Sequence, residues 1–277
     1  MVDHAGPKPG RARRPFSIRS QPGFTVIAII CFFLLYAPLM PLVFYSFNSG
    51  SSLVHFEGFS WRWYVSAWDN DLVKDASFRS LILAASASFC ATVLATMAAL
   101  GTTRTRPYRG LTAIFFMINQ PLMVPEIVTA VALLIVFASI KAATDYYGLA
   151  YLIIAHTAFC IPFAYLPIRA RLEGMDLSLE TAAADLYATP WKTFRWVTLP
   201  LLWPGILAGA MLAFVLSLDD VVITEFVKSS GQDTLPTYML GQLRRSITPE
   251  VNAISSILLG ISVTLVTIFF FLNKKMR

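Results

Sequence analysis

Six stretches of this chain, residues 24–47, 78–101, 111–140, 148–168, 201–227 and 251–272, are apolar almost without interruption. A helix rising 1.5 Å per residue needs about 20 residues to cross a hydrocarbon core about 30 Å thick. Each stretch therefore reads as a spanning helix. Only 14% of the 277 residues are charged and 56% are hydrophobic, whereas a soluble domain carries about 25% charged residues. The first stretch is too long for a signal-peptide core and lacks a small-x-small cleavage site, so it reads as a retained anchor. The expectation is an all-α membrane protein with six transmembrane helices.

Prolines punctuate these spans. Pro121 and Pro125 lie inside the third, and Pro162 and Pro167 near the end of the fourth. Each removes a backbone donor and crowds the preceding turn, which predicts kinks or breaks in both. Residues 1–22 are rich in Pro, Gly and Arg, with Lys8, Arg11, Arg13, Arg14 and Arg19, and read as a basic disordered tail. The rest, 23–277, reads as one transmembrane domain.

Orientation follows from the Lys and Arg in the connections. With the N-terminus inside, the interior segments hold the tail's five basic residues, Arg104, Arg106, Arg109, Arg169, Arg171, Lys192, Arg195, Lys274, Lys275 and Arg277. The exterior ones hold the smaller set Arg62, Lys74, Arg79, Lys141, Lys228, Arg244 and Arg245. This predicts both termini in the cytoplasm, with Arg244-Arg245 as the main exception. The exterior loop 48–75 contains Phe59, Trp61, Trp63, Tyr64 and Trp68, rings that favour the headgroup layer, so a short interfacial helix is expected there. Turns at Thr234-Leu-Pro and Ser246-Ile-Thr-Pro suggest folded structure in 228–250.

The interior loop, about 171–199, reads as two short helices. Asp176 or Ser178 can cap the first, and Thr189-Pro190 opens the second, with Pro where its missing N–H costs nothing. Trp191, Phe194 and Val197 give that second piece an apolar face. Such a knob either lies on lipid as an amphipathic loop or is gripped by a partner.

No phosphate-binding Gly-rich loop, nucleophile elbow, His-Glu-x-x-His or Cys-x-x-Cys occurs. Cys31, Cys90 and Cys160 sit singly in apolar spans, and His4, His55 and His156 are far apart, so no metal site or disulfide is implied. The chain reads as no enzyme; work done on a solute draws energy from a partner or a gradient.

The informative polar residues lie inside the spans. Ser217-Leu-Asp219-Asp220 and Glu225 lie in the fifth span, and Glu126 follows Pro125 in the third. A carboxylate at the bilayer centre costs about 2.5–3.5 kcal/mol on insertion scales, so it faces a cavity or a partner charge. One reading is a cation path; the others are a structural pair, for example with Arg79, or a place at the exterior interface.

The loop carries a resemblance. Ala182, Ala183, Asp185, Leu186, Ala188, Pro190, Phe194, Leu199 and Pro200 match the cytoplasmic loop of permease subunits in binding-protein-dependent ABC importers, read as Glu-Ala-Ala, three residues, Gly, then Leu-Pro. The motif's Glu falls on Thr181, with Glu180 one position early, and its Gly falls on Tyr187. A left-handed residue there costs a non-Gly side chain roughly 1–2 kcal/mol. Elsewhere Tyr36-Ala-Pro, Tyr45-Ser-Phe-Asn, Trp63-Tyr, Pro125-Glu126, His156-Thr-Ala-Phe-Cys, Ser217-Leu-Asp-Asp, Thr234-Leu-Pro and Pro249-Glu-Val-Asn-Ala resemble the polyamine (spermidine/putrescine) importers, nearest the putrescine importer's second permease.

The resemblance implies a type I ABC importer permease (MetI-like) fold in a bacterial inner membrane. It implies as partners a second permease, an ATP-binding cassette ATPase dimer, a periplasmic solute-binding protein and membrane lipid, with no nucleic acid. ATP is used by the ATPase; no cofactor or metal is expected on this chain. Residues 180–188 and Pro190 would form the coupling helix, and Asp219, Asp220, Glu126 and Ser217 the polyamine path. An importer for another solute, such as iron or thiamine, and a non-conducting membrane scaffold are the alternatives.

Overall fold

The computed structural model describes residues 22–52, 55–105, 108–245 and 248–275. The basic tail therefore lies outside the described residues, as do Ser246 and Ile247. Among the described residues there is no strand, only one antiparallel bridge between Asn48 and Phe59. Five helices are long and apolar enough to cross a membrane, or six if one bent pair counts as a span.

The first span is that bent pair. Helix α1 (Pro22–Tyr36) and α2 (Leu39–Tyr45) meet at about 40°. Pro38 between them has no N–H for the carbonyl four residues back, which suffices to bend a helix. Helix α4 (Asp71–Thr103) extends well beyond the expected 78–101. It opens on Asn70, whose side chain accepts from the Leu72 amide at 3.1 Å.

The third span breaks as expected. Helix α5 (Leu111–Met123) contains Pro121, and α6 (Glu126–Thr144) starts just after Pro125. Val124, held extended by the proline that follows it, separates them. The fourth span does not break. Helix α7 (Leu149–Glu173) runs through Pro162 and Pro167, because it is clasped between α4 and α10 and neighbouring helices hold a proline-bearing turn in place.

The two-helix loop is present but its second half differs from expectation. Helix α8 (Ser178–Asp185) is separate, whereas α9 (Pro190–Thr193) continues into α10 (Leu199–Asp219). The wide turn Phe194–Thr198 joins them, with the Leu199 amide bonding to the Phe194 carbonyl five residues back. Pro200 has no amide to donate, and the widened turn before it absorbs that gap without ending the helix. The fifth span instead breaks at Asp220-Val221, after which α11 (Val222–Val227) begins. Residues 228–250 contain α12 (Leu235–Arg245), and α13 (Pro249–Lys275) is the last span.

Helices α4, α7 and α10 form the core. Helix α4 buries Ala76, Ser80, Ala84, Ala87, Ala91, Ala95 and Ala99, small residues at near-helical spacing that let backbones approach, and Ala91, Ala95 and Ala99 join this core. Helix α10 answers with Gly205 and Gly209. A Cβ on Gly209 would stand 2.6 Å from the Ala164 carbonyl oxygen of α7. Tyr165 is fully buried, and its hydroxyl meets Thr102 Oγ1 at 2.8 Å.

The loop after α2 folds around Asn48, which is fully buried. Its Nδ2 donates to the Ser52 and His55 carbonyls at 2.7 and 2.8 Å, and its Oδ1 accepts from the Glu57 amide at 2.9 Å. The expected short helix is α3 (Arg62–Asp69), with Trp61 and Trp68 exposed beside it. At the α3–α4 junction, Asn70 Nδ2 donates to Tyr238 of α12 and Glu250 of α13. The Ser80 hydroxyl accepts from the Leu235 amide at 2.7 Å, seating α12 on α4.

The close α7–α10 approach has a direct test. Gly209→Ala should cost about 1–3 kcal/mol by overpacking, read as a lower thermal unfolding midpoint in detergent. Gly101→Ala, where an added Cβ meets nothing within 4 Å, should not lower it. Equal midpoints would contradict the packing described.

Candidate functional site

The break after α10 creates a polar centre inside an apolar bundle. Asp220 leaves the helix with extended backbone and turns its carboxylate onto the opening turn of α11. Its Oδ1 accepts from the Ile223 amide at 3.2 Å, and its Oδ2 accepts from the Thr224 amide at 2.9 Å and hydroxyl at 2.8 Å. The exposed donors of a helix start, which lipid cannot satisfy, are met by this one side chain.

His156 of α7 completes the centre. Its Nε2 lies 3.4 Å from Asp220 Oδ2 and 3.0 Å from Thr224 Oγ1, and its Nδ1 lies 2.8 Å from Ser217 Oγ. His156 and Thr224 are fully buried, and Ser217 and Asp220 nearly so. Glu126, in the first turn of α6, brings its carboxyl beside that of Asp220 and is itself only partly buried. Two carboxylates side by side repel unless a cation or a shared proton lies between them. One turn along α6, Thr129 Oγ1 is buried and has no hydrogen-bond partner among the described residues.

The four residues expected to line a path thus separate. Asp220 and Ser217 are joined through His156, and Glu126 borders Asp220 from the more open side. Asp219 is exposed, outside the cluster. Arg79 pairs with neither aspartate, since it donates to the Asp233 carbonyl at 3.1 Å. Glu225 is held by Lys228 at 2.6 Å, and Lys228 also meets Asp233 at 2.7 Å. Burial works to lower the Lys228 ammonium's affinity for its proton, and its two carboxylate partners outweigh that and hold it above its ordinary range. These residues, with Arg244 and Arg245, line a cleft of about 590 Å³ with charges of both signs. Sequence reasoning set His156 aside; its partners lie 61 and 68 residues away, and no local spacing signals them.

The loop 178–196 is the second site. Asp176 supplies the first cap: its Oδ1 accepts from the Ser178 amide at 2.9 Å, which holds its carboxyl below the ordinary range. Tyr187 has φ +58°. The Ala188 amide donates to the Ala183 carbonyl at 3.0 Å and the Tyr187 amide to the Ala184 carbonyl at 2.9 Å. This pair of reverse bonds is the Schellman termination, with tyrosine where glycine is usual. Thr189 caps the next helix through the Lys192 amide, and Pro190 stands at its first turn.

The outcome is an exposed apolar knob: Leu186 is 82%, Tyr187 96% and Trp191 70% exposed. Thr181, Ala182, Asp185 and Pro190 are also exposed, and Ala183 and Ala188 are half-buried. Phe194 and Val197 turn partly inward as expected, whereas Trp191 does not. Glu180 faces the bundle and bonds to Arg104 and Thr198.

Residues 91–276 match the family described as the binding-protein-dependent transport system inner membrane component. The chain is 39% identical over 243 residues to the putrescine transport system permease protein PotI of Escherichia coli K12, covering 87% of this chain and 86% of that protein. It is 34% identical over 241 residues to the spermidine/putrescine transport system permease protein PotC of Haemophilus influenzae, covering 87% and 92%. Among solved structures, a subunit of the inward-facing MetNI methionine ABC transporter superposes with TM-score 0.64 at 17% identity, over 77% of this chain and 98% of that one. A chain of a bacterial alginate ABC importer gives TM-score 0.68 at 16% identity, over 92% and 94%. Both show the fold.

Tyr187 offers a clean measurement, because a side chain this exposed contributes no packing. Tyr187→Gly should relieve about 1 kcal/mol of left-handed strain. Amide exchange at Ala188 should then slow about fivefold, since local opening carries the cost. Faster exchange would show that the tyrosine holds the turn.

Proposed function

The chain belongs to the family of binding-protein-dependent transport system inner membrane components, and on that footing we propose that it is the permease subunit of an ATP-driven polyamine importer. Its assignment as a multi-pass inner-membrane protein follows from the family and from the long apolar helices. It carries no nucleotide-binding motif of its own, so hydrolysis belongs to a separate ATPase subunit.

The observation that carries the choice of solute is the adjacency of Glu126 and Asp220 at two helix breaks inside an apolar bundle. An organic ammonium group fits such a pair, because it replaces mutual repulsion with two charge-assisted hydrogen bonds. His156 and Thr224 keep Asp220 aimed, Ser217 keeps His156 aimed, and on this reading the exposed Asp219 meets the cation on approach. PotI and PotC, by their names, move putrescine and spermidine, which suits a path lined by carboxylates.

The machine around the chain follows the same reading. A second permease completes a pseudo-symmetric channel, a solute-binding protein delivers cargo from outside, and an ATPase dimer grips Leu186, Tyr187 and Trp191 from the cytoplasm. Both termini are then cytoplasmic, in keeping with the distribution of Lys and Arg. Closure of the ATPases moves the loop, and the spans switch from inward- to outward-facing. Transport needs no covalent step on this chain.

Uptake of labelled putrescine by the complex reconstituted in liposomes tests the path. Glu126→Gln should weaken apparent affinity about tenfold, the equivalent of about 1.4 kcal/mol for one lost charge. Asp220→Asn should lower uptake at least as much, and Asp219→Asn less. Wild-type uptake in all three variants would remove the path. Deleting 178–196 should abolish co-purification with the ATPase subunit, and retained binding would remove the docking assignment.

A further inference from the structure

Helix α8 buries none of its residues, so apolar packing does not fix its position against the spans. A polar contact does. Glu180 Oε1 accepts from Arg104 Nε at 3.2 Å and from Thr198 Oγ1 at 3.0 Å. Arg104 also donates through Nη2 to the Leu172 carbonyl at 3.1 Å. One carboxylate therefore gathers the first turn of α8, the residue closing α4 and the wide turn before α10, and reaches the last turn of α7 through Arg104. The pair is well shielded: the Arg104 and Glu180 side chains are 18% and 22% exposed, and Thr198 is buried.

The register matters here. Thr181, where the importer motif's Glu falls, is exposed and bonds only back to the Leu177 carbonyl. Glu180, one position earlier, is rotated by about 100° and faces inward.

We propose that Glu180 is a positioning residue that ties the docking loop to the inner ends of α4, α7 and α10, so that a displacement of α8 is delivered to the spans. Without the tie, an eight-residue helix with nothing buried shifts alone and the motion is absorbed in its flanking turns. Glu180 then acts through Arg104 and touches neither solute nor ATPase. The proposal rests on the reading of 178–196 as the ATPase-docking loop.

Two measurements separate the tie from that reading. In the isolated chain, Glu180→Ala should speed amide exchange across α8 about tenfold while the exposed control Asp185→Ala leaves it unchanged. Unchanged exchange in Glu180→Ala overturns the tie whatever the chain transports. In the reconstituted importer, Glu180→Ala should still co-purify with the ATPase and hydrolyse ATP, but putrescine taken up per ATP should fall at least fivefold. The exchanged pair Glu180→Arg with Arg104→Glu should recover more than half of that ratio, although either reversal alone should not. Loss of ATPase binding in Glu180→Ala would place Glu180 on the docking face and overturn the proposal. So would a wild-type ratio, or an exchanged pair no better than the single reversals. Failure of the unmodified chain to bind any ATPase would instead defeat the docking reading, while faster α8 exchange would still stand.

Discussion

Inside hydrocarbon there is no water to bond a free N–H or C=O, so every interruption of a spanning helix must be repaired by the protein itself. In this chain the interruptions and the chemistry coincide. The span that breaks at Pro125 starts again with Glu126, and the span that breaks after Asp219 starts again under the side chain of Asp220. Asp220 repairs its own break by accepting from Ile223 and Thr224, and His156 braces it from α7. A carboxylate used this way is both cap and charge. Its fixed geometry leaves the neighbouring Glu126, less buried and less constrained, as the movable half of the pair.

Around those breaks the structure is built to stay rigid. Small residues along α4 and the paired glycines of α10 bring these two helices and α7 to close approach. Lys141 extends the bracing to the C-terminal end of α11, donating to the Val227 carbonyl and the Ser229 hydroxyl and lying over the Tyr151 ring. At the opposite end the loop is held by ionic and hydrogen-bonded contacts and keeps Leu186, Tyr187 and Trp191 outward. Exposed aromatic and aliphatic side chains beside a polar rim are what a partner surface needs. The division is mechanical: a close-packed trio of helices, a loop tied to one end of it, and a polar centre where two spans are interrupted.

Much of this was legible in the sequence. Apolar length located the spans, Pro125 located one break, and Thr189-Pro190 located a helix start, because each rests on local covalent chemistry. The left-handed turn at Tyr187 was legible only through the importer motif, where glycine stands at that position. What local chemistry does not decide was missed or inverted. Pro162 and Pro167 leave α7 unbroken because its neighbours hold it, and Pro200 is absorbed by one wide turn, whereas Pro38 bends a span that looked uniform. His156 gives no signal of its own, since a lone histidine in an apolar run acquires meaning only when Ser217, Asp220 and Thr224 are folded against it. Glu180 looked like a displaced docking residue until its inward partners were visible.

The central claim is that Glu126 and Asp220 form one cation-binding pair held in aim by His156. Its most direct test is a density map of the assembled importer trapped with putrescine. The account predicts an amine within hydrogen-bonding distance of both carboxylates, with His156 still against Asp220. An occupied path whose amine lies elsewhere, with Glu126 and Asp220 still side by side and empty between them, would contradict it.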